Sequence, residues 1–534
     1  MLAIMSAMFF AAINQTIVST AMPRIASLLN GMDLYTWVII IYMLTSTIST
    51  VLVGKLSDIY GRKPFLLVGI IFFMIGAFLC GTSTTIEQMI FYRGVQGVGG
   101  GIIMATAITA VGDLFAPRER AKWTGMMMAI FGFSSVLGPT LGGWMVDHMN
   151  WEWIFWAFLP VGFIAFAMIW RLFPKTARNY DEKVDYWGSL FLTTAIVPLL
   201  LAFTWAGTKY DWGSSQIIGL FAASLASLIV FVLVERKVKS PVLPLSLFSN
   251  QVVTISNVAG FLMSAGMMGA LIYLPFFVQG VEGISPTYSG YVTMPMSISM
   301  IILSAMTGRW MARSGKYKRF ALLGMTIMTI GMVIMAYMDN IPVAVASMIV
   351  FGIGLGFGMP VFTLAAQNAV PASELGVVTA SSQLFRNMGG TIGIAVMGSI
   401  MMSRMTHNIS AAMSKLGGDS PAAADPEVLQ QLKPFMDPQL LTNKPELERL
   451  TAALPEQLQN VAIQLTALVR NALSDALTTV FLTGSGLLAI ALILVAFIRE
   501  IPLRSAADPR PAAESESTRE GGAAVTSRPS INEG

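Results

Sequence analysis

A short charged stretch between two long apolar segments reads Gly54-Lys55-Leu56-Ser57-Asp58-Ile59-Tyr60-Gly61-Arg62-Lys63-Pro64. One acid and three bases packed into so few residues cannot lie in the core of a bilayer. Gly54 and Gly61 frame the stretch, and glycine suits a backbone that turns tightly beside another helix. The stretch therefore predicts a loop at the membrane surface that joins two spanning helices.

The composition of the whole chain is that of an integral membrane protein. Of its 534 residues, 55% are hydrophobic and only 12% are charged. Apolar runs of about 20 residues, which span a bilayer as a helix, recur along almost the whole sequence. The net charge of +4 gives no support to a nucleic-acid partner, the single cysteine excludes an intrachain disulfide, and two histidines leave little for a metal site. No cofactor and no cleavable signal peptide are predicted.

Fourteen spanning helices are expected, at about 3–29, 34–54, 64–82, 88–111, 122–146, 152–172, 187–206, 214–234, 251–279, 288–312, 319–338, 342–366, 376–402 and 479–498. Alternate loops differ in basic residues. One side carries Lys55, Arg62, Lys63, Arg118, Arg120, Arg171, Lys175, Arg178, Lys183, Arg236, Lys237, Lys239, Arg313, Lys316, Lys318 and Arg319, whereas the short loops of the other side offer only Lys209. By the positive-inside rule the basic side is cytoplasmic, which puts both termini inside.

The spans divide into two six-helix halves and a two-helix insert. The expected bounds are 1–172 for the first half, 173–250 for the insert with its cytoplasmic flanks, 251–402 for five helices of the second half, 403–478 for a long external loop, 479–498 for the last span and 499–534 for a disordered tail. From Pro455 onward, apolar residues recur at helical spacing, which predicts an amphipathic helix. This helix either lies on the protein or the lipid headgroups, or caps the external mouth.

Four motifs carry a resemblance to a known family. The charged loop resembles the signature loop between the second and third helices of the major facilitator superfamily, G-x-L-a-D-r-x-G-r-k. Residues 12–23 resemble the pattern L-D-x-T-v-v-n-v-A-l-P of the fourteen-helix drug:proton antiporters in that superfamily. Residues 93–101 resemble R-x-x-q-G-x-g, and residues 138–143 resemble the G-P-x-x-G-G motif typical of antiporters. A second loop, residues 308–316, keeps the glycines and bases of the first but lacks the acid, which indicates an internal repeat.

The resemblance implies an all-α integral membrane fold with 14 transmembrane helices and a multidrug efflux function. Such a carrier exports small lipophilic drugs or toxic compounds by alternating access and proton-coupled antiport, as a monomer in the bacterial plasma membrane. It also implies a conformational latch formed by Gly54, Asp58, Gly61, Arg62, Lys63 and Asp113, and a helix-packing motif formed by Gly138, Pro139, Gly142 and Gly143. In the latch Asp113 pairs with Arg62, while Asp58 lies near a helix N-terminus of the other half. The alternative is that these charges only fix the topology.

The first span departs from the family pattern at one position. The acid that is implicated in proton coupling is replaced by Asn14. A buried carboxylate can take up and release a proton near neutral pH, whereas an amide cannot. No other predicted span has an Asp or Glu near its middle. Either acids at the span ends couple the transport, or the carrier is uncoupled, or the chain is a neutralised variant; Asn14 and Arg93 are the candidate coupling residues.

Polar and aromatic residues within the spans are the candidates for substrate binding, namely Asn14, Tyr42, Gln96, Tyr273, Phe276, Gln279, Tyr291 and Arg386. Arg93 is expected to face a cavity or to snorkel to the headgroups. With two arginines inside and no acid, the cavity is expected to disfavour multivalent cations. Two rival functions are export of a single endogenous metabolite or antibiotic, and a membrane-embedded enzyme, although the loops offer no metal-ligand spacing.

Overall fold

The computed structural model describes residues 1–29, 34–174, 185–207, 209–238, 241–284, 286–371, 374–416, 435, 441 and 444–503. Apart from an isolated bridge between Ala206 and Tyr210, the regular structure in these residues is helical. The helices are α1 Leu2–Leu28, α2 Tyr35–Tyr60, α3 Arg62–Gly81, α4 Ile86–Leu114, α5 Pro117–His148, α6 Trp153–Trp156, α7 Leu159–Leu172, α8 Tyr186–Trp205, α9 Ser215–Glu235, α10 Gln251–Phe276, α11 Pro286–Ser314, α12 Lys318–Ala336, α13 Ile341–Asn368, α14 Leu375–Leu416, α15 Lys444–Ala453 and α16 Glu456–Ala496.

These helices supply one segment for each of the 14 predicted spans, with α6 and α7 together forming the sixth and α15 lying outside the set. By length and composition, 11 of the segments are long and apolar enough to cross a membrane. The helices α1, α5 and α14 are not among these 11 segments, although the described part of α1 from Leu2 to Val18 is a shorter apolar helix. The all-helical class predicted from the sequence is confirmed.

Several helices begin where a short polar side chain can accept a bond from the first turn. Asp185 accepts from the amide of Gly188 at 2.8 Å, and Asn340 accepts from the amide of Val343 at 3.0 Å. Thr85 caps α4 in the same way. Each cap satisfies an amide that the helix itself leaves without a partner. These helices therefore begin at side chains that can accept a hydrogen bond from a backbone amide of the first turn.

The helices pack as two halves, with α1–α7 in one and α10–α14 together with α16 in the other. The extensive contacts between the halves are made by α5 with α11 and by α2 with α14. Both contacts depend on glycine. A β-carbon at Gly308 would lie 2.6 Å from the carbonyl oxygen of Ala121, and one at Gly125 would lie 2.6 Å from that of Ser304. The two halves therefore meet backbone to backbone, as small residues allow in membrane helices.

The glycine run of α4 serves the same purpose inside the first half. A β-carbon at Gly99 would lie 2.7 Å from the Cα of Phe73 on α3, and one at Gly97 would lie 2.6 Å from the carbonyl oxygen of Tyr42 on α2. The run therefore brings three helices together and resembles a nucleotide-binding sequence only by chance.

The two loops of the internal repeat share a backbone feature. Gly61, between α2 and α3, has a φ of 88°, and Gly315, after α11, has a φ of 67°. Only glycine adopts this region without steric cost. Two corresponding helix connections, one in each half, therefore turn by the same means.

The insert helices α8 and α9 pack on each other, and α8 also contacts α2 and α14. At one end Trp205 packs edge-on against Trp37 with ring centroids 5.7 Å apart, and Trp212 donates to Ser399 Oγ at 3.0 Å. At the other end Glu235 accepts from the amide of Leu243 at 2.9 Å. The insert therefore lies across the contact between α2 and α14 and touches both halves.

The segment predicted as an external loop is helical at both of its ends. The helix α14 continues to Leu416, and α16 begins at Glu456 and runs without a break into the last span. Within it, Val461 and Leu465 pack with Phe435 and with apolar residues of α15. The amphipathic segment and the last span are thus one helix, whose apolar face is turned towards protein in this region. The tail from residue 504 onward, predicted to be disordered, lies outside the described residues.

We expect Gly308→Ala to lower the stability of the folded protein, since the added methyl group would collide with backbone atoms of α5 that cannot move aside. Overpacking of this kind costs about 1–3 kcal/mol. Thermal unfolding of the purified protein measures the effect. Gly219→Ala on α9 is the matched control, because no atom lies within 4 Å of its β-carbon position. Equal unfolding temperatures for the two variants would show that the α5–α11 contact is looser than described.

Candidate functional site

An ion cluster of two buried side chains, Asp58 and Arg62, and the partly exposed Asp113 lies where α2, α3 and α4 end or begin. Arg62 Nε donates to Asp113 Oδ2 at 2.7 Å, one terminal nitrogen donates to Ser57 Oγ at 2.6 Å, and the other bonds Asp58 Oδ1. The side chain of Arg62 is 4% exposed. Charge-assisted bonds between buried partners are stronger than exposed ion pairs, because water screens them less. We call Asp58, Arg62 and Asp113 the charged cluster.

The charged cluster touches the second half through Asp58. The carboxylate of Asp58 lies so close to Gly376 that no β-carbon could be placed there. Gly376 is in the first turn of α14, where the helix dipole favours a negative charge. One turn earlier on α2, a β-carbon at Gly54 would lie 3.1 Å from the carbonyl oxygen of Gly376. The cluster therefore lies beside a close contact between the backbones of α2 and α14.

The remaining residues of the predicted latch lie beside this cluster. Gly61 makes the turn between α2 and α3, and Lys63 Nζ donates to the carbonyl oxygen of Phe173 at 2.9 Å, just beyond α7. The structure thus brings all six predicted latch residues into one region of the molecule.

A cavity of 680 Å³ lies between the two halves. This volume is within the range of about 300–1,000 Å³ that small-molecule sites occupy. Much of its wall is made of methionine, namely Met8, Met43, Met104, Met128, Met267, Met268, Met296, Met300 and Met359. Flexible thioether side chains can repack around ligands of different shape.

Three of the predicted binding residues line the cavity: Tyr42, Gln279 and Arg386. Gln279 lies in a π-helical turn, Phe277–Val281, that follows Pro275 at the end of α10. Such turns re-aim side chains at functional sites. Arg386 bonds Gln383 Oε1 on the preceding turn of α14.

Asn14, Gln96 and Arg93 do not line the cavity but form a buried chain behind it. Gln96 Nε2 donates to Asn14 Oδ1 at 2.8 Å, and Arg93 donates to Gln96 Oε1 at 2.6 Å. Arg93 also lies over the ring of Tyr42, 4.3 Å from its centroid, and is 2% exposed. Of the two expectations for Arg93, the structure therefore shows neither snorkelling nor direct contact with the cavity, since Tyr42 separates it from the open space.

The other three predicted binding residues lie outside the cavity. The hydroxyl of Tyr273 donates to the carbonyl oxygen of Ile394 at 2.7 Å, which ties α10 to α14, and Phe276 packs near its ring. Tyr291 is 54% exposed and pairs with Tyr288. Its neighbours Gly290 and Thr293 line the cavity instead, because they occupy a different face of α11.

The cavity also contains polar residues that the sequence analysis missed. Gln15 lines it instead of Asn14, and Gln383 and Asn387 flank Arg386. Asn387 Nδ2 donates to Thr47 Oγ1 at 3.1 Å, which is a contact between the halves. The signal for Gln383 and Asn387 was present, since they lie three residues before and one after the predicted arginine.

The helix-packing motif joins α5 to α1. A β-carbon at Gly138 would lie 2.6 Å from Thr16 Cβ, and one at Gly142 would lie 3.0 Å from the carbonyl oxygen of Ile17. Thr16 Oγ1 donates to the carbonyl oxygen of Ser134 at 2.9 Å. Pro139 and Gly143 lie in the same helix, α5, which runs through both positions without a break.

In the described residues, two halves of six helical segments each, with a two-helix insert and a cavity between the halves, are accompanied by a sequence match over residues 4–394 to the Major Facilitator Superfamily. The chain belongs to this superfamily. It is therefore a multi-pass membrane transporter and not an enzyme, and the family resemblance predicted from the sequence is confirmed.

Two relatives and one solved structure illustrate the similarity. The multidrug transporter protein MdtP of Bacillus subtilis (strain 168) is 38% identical over 506 residues, which cover 93% of this chain and 92% of MdtP. Multidrug resistance protein 3 of the same strain is 31% identical over 510 residues, covering 95% and 96%. The crystal structure of the human organic anion transporter MFSD10 (TETRAN) superposes with a TM-score of 0.60 at 14% identity, covering 92% of this chain and 98% of that one.

We expect Gln96→Leu to destabilise the protein, because Asn14 Oδ1 and a nitrogen of Arg93 would lose their hydrogen-bond partner in a buried site. Each buried polar group left without a partner costs about 1–3 kcal/mol. Unfolding of the purified protein in a detergent titration measures the loss. The same substitution at Gln88, which is exposed in the first turn of α4, is the control and should have a much smaller effect. Equal losses at both positions would argue against the buried chain.

Proposed function

We propose that this chain exports lipophilic compounds across a bacterial plasma membrane by alternating access. The observation that carries the proposal is the methionine-walled cavity of 680 Å³ between the two halves. Two bacterial relatives that match along nine-tenths of the chain or more are named for multidrug transport and multidrug resistance. A soft wall in a cavity of drug-like size suits substrates that share apolar character and differ in shape.

The orientation in the membrane follows from the basic loops. Arg62, Lys63 and the other basic residues of the alternate loops lie on one side, which the positive-inside rule assigns to the cytoplasm. Both termini are then cytoplasmic. Since the halves touch near the charged cluster on this side, the cavity faces the exterior. The proposal therefore assigns the structure to an outward-facing state.

The charged cluster is the latch of this state. Asp58 approaches the first turn of α14 and is held by Arg62, which Asp113 also binds. When the halves separate on the cytoplasmic side, Asp58 loses the favourable end of the α14 dipole while its bond to Arg62 lies within one half. The cluster thus favours closure through one contact that can break and reform.

We expect Asp58→Asn to lower the rate of export at least tenfold, because the neutral amide gains less from the dipole of α14 and from Arg62. Dye efflux from cells with matched amounts of protein measures this rate. Asp211→Asn, an exposed position in the loop between α8 and α9, is the control. Full export by Asp58→Asn would leave these charges with a role in topology alone.

Proton coupling needs a group other than Asn14, whose amide is fixed in the buried chain to Gln96. A pair of acids at the span ends offers one. Asp185 and Glu235 are both buried and lie near each other, and Asp185 Oδ2 and Glu235 Oε2 have no hydrogen-bond partner in the described residues. Burial disfavours the charged form of Glu235, and the nearby acid Asp185 adds to this effect, so the binding of a proton to Glu235 is favoured. We propose this pair as the coupling site.

We expect drug transport by the native sequence to be accompanied by proton movement in everted vesicles, and Glu235→Gln to lose that movement at least tenfold because an amide cannot exchange the proton. Asn14→Asp is assayed beside it, with Glu87→Gln, an exposed acid of α4, as the control. Proton exchange by the Asn14→Asp form alone would place the coupling site at position 14 and make the native chain an uncoupled carrier.

A further inference from the structure

The cavity wall has one charged side chain among the described residues that line it, and this side chain is Arg386. Its guanidinium carries five N–H donors and no acceptor. One terminal nitrogen bonds Gln383 Oε1, and no carboxylate of the described residues pairs with it. A cation that is held between the halves without a counter-ion has donors available to a negatively charged group that enters the cavity.

A second arginine adds to the positive charge of this region. Arg93 lies behind the ring of Tyr42, which separates it from the cavity, and no carboxylate of the described residues pairs with Arg93 either. Its neighbours in the buried chain, Gln96 and Asn14, are neutral. Charges in surroundings of low dielectric act over longer distances than in water. Two arginine charges that are not paired with an acid of the described residues therefore contribute to the electrostatic field in the cavity.

The cavity that the positively charged Arg386 lines also has apolar walls. One turn further along α14, a β-carbon at Gly390 would lie 3.2 Å from Met268 Cγ and 3.2 Å from Ser264 Oγ. Glycine at this position therefore leaves room beside Met268, in the cavity that Arg386 also lines. A ligand can reach Arg386 with a polar group while its apolar part touches thioethers.

We propose that the preferred substrates are amphiphilic organic anions, whose carboxylate or other anionic group pairs with Arg386 and whose apolar body lies against the methionines. A planar guanidinium forms two parallel bonds with a carboxylate, which adds orientation to charge. This inference rests on the proposed export function and adds the sign of the substrate's charge to it.

The test compares two probes with the same apolar body, pyrenebutyrate and pyrenebutyltrimethylammonium. Their binding to the full chain in nanodiscs of zwitterionic lipid is measured by equilibrium dialysis, with empty nanodiscs subtracted. The variants are Arg386→Gln, which removes the charge, and Arg386→Lys, which keeps it. Arg404→Gln is the matched control, because it removes the same charge from an exposed position of the same helix.

We expect the native chain to bind the anion at least tenfold more tightly than the cation. Arg386→Gln should weaken the anion at least tenfold and leave the cation unchanged or tighter, while Arg386→Lys keeps most of the preference and Arg404→Gln keeps all of it. Equal or tighter binding of the cation by the native chain would overturn the inference, and so would an equal loss of both probes in Arg386→Gln. Export of uncharged pyrenebutanol from cells tests the proposed function separately, since it does not depend on charge.

Discussion

Contact between the backbones of the two halves is the constraint on which the rest of the structure depends. The glycines Gly125 and Gly308 let α5 and α11 touch, and Gly54 and Gly376 do the same for α2 and α14. The cavity lies between the two halves that these contacts join. The charged cluster lies beside one of these contacts, so electrostatic and steric complementarity favour the same arrangement of the halves.

For the described residues, the order of the spanning segments could be predicted from the sequence, because 11 of them are long apolar runs separated by loops with charges or turn residues. The ends could be predicted less well. The last span extends back to Glu456, since its preceding amphipathic segment continues the same helix and packs on protein. Hydropathy separates lipid from water, but it does not show where a helix leaves the membrane and continues over a protein surface.

The candidate site was predicted unevenly, for a physical reason. Arg386 and Tyr42 line the cavity. In contrast, Tyr291 is exposed, and the hydroxyl of Tyr273 donates to a backbone carbonyl. A residue type indicates what chemistry is available, but the rotation of each helix decides which face meets the cavity. An apolar helix in a bilayer has no alternation of polar and apolar residues from which that rotation could be read. The neighbouring residues Asn14 and Gln15 show the consequence, since one is enclosed behind the wall and the other forms part of it.

The insert lies beside one of the two extensive contacts between the halves, the contact of α2 with α14. The helix α8 contacts both α2 and α14. At its end, Trp205 packs against Trp37 of α2, and Trp212 in the following loop donates to Ser399 of α14. Along α8, protein of the insert lies beside the contact between α2 and α14. In the described part of the insert, neither α8 nor α9 makes extensive contact with α5 or α11. If the halves rock against each other, the contact between α2 and α14 moves beside protein of the insert. We therefore expect the thickness and fluidity of the membrane to affect the two contacts between the halves differently.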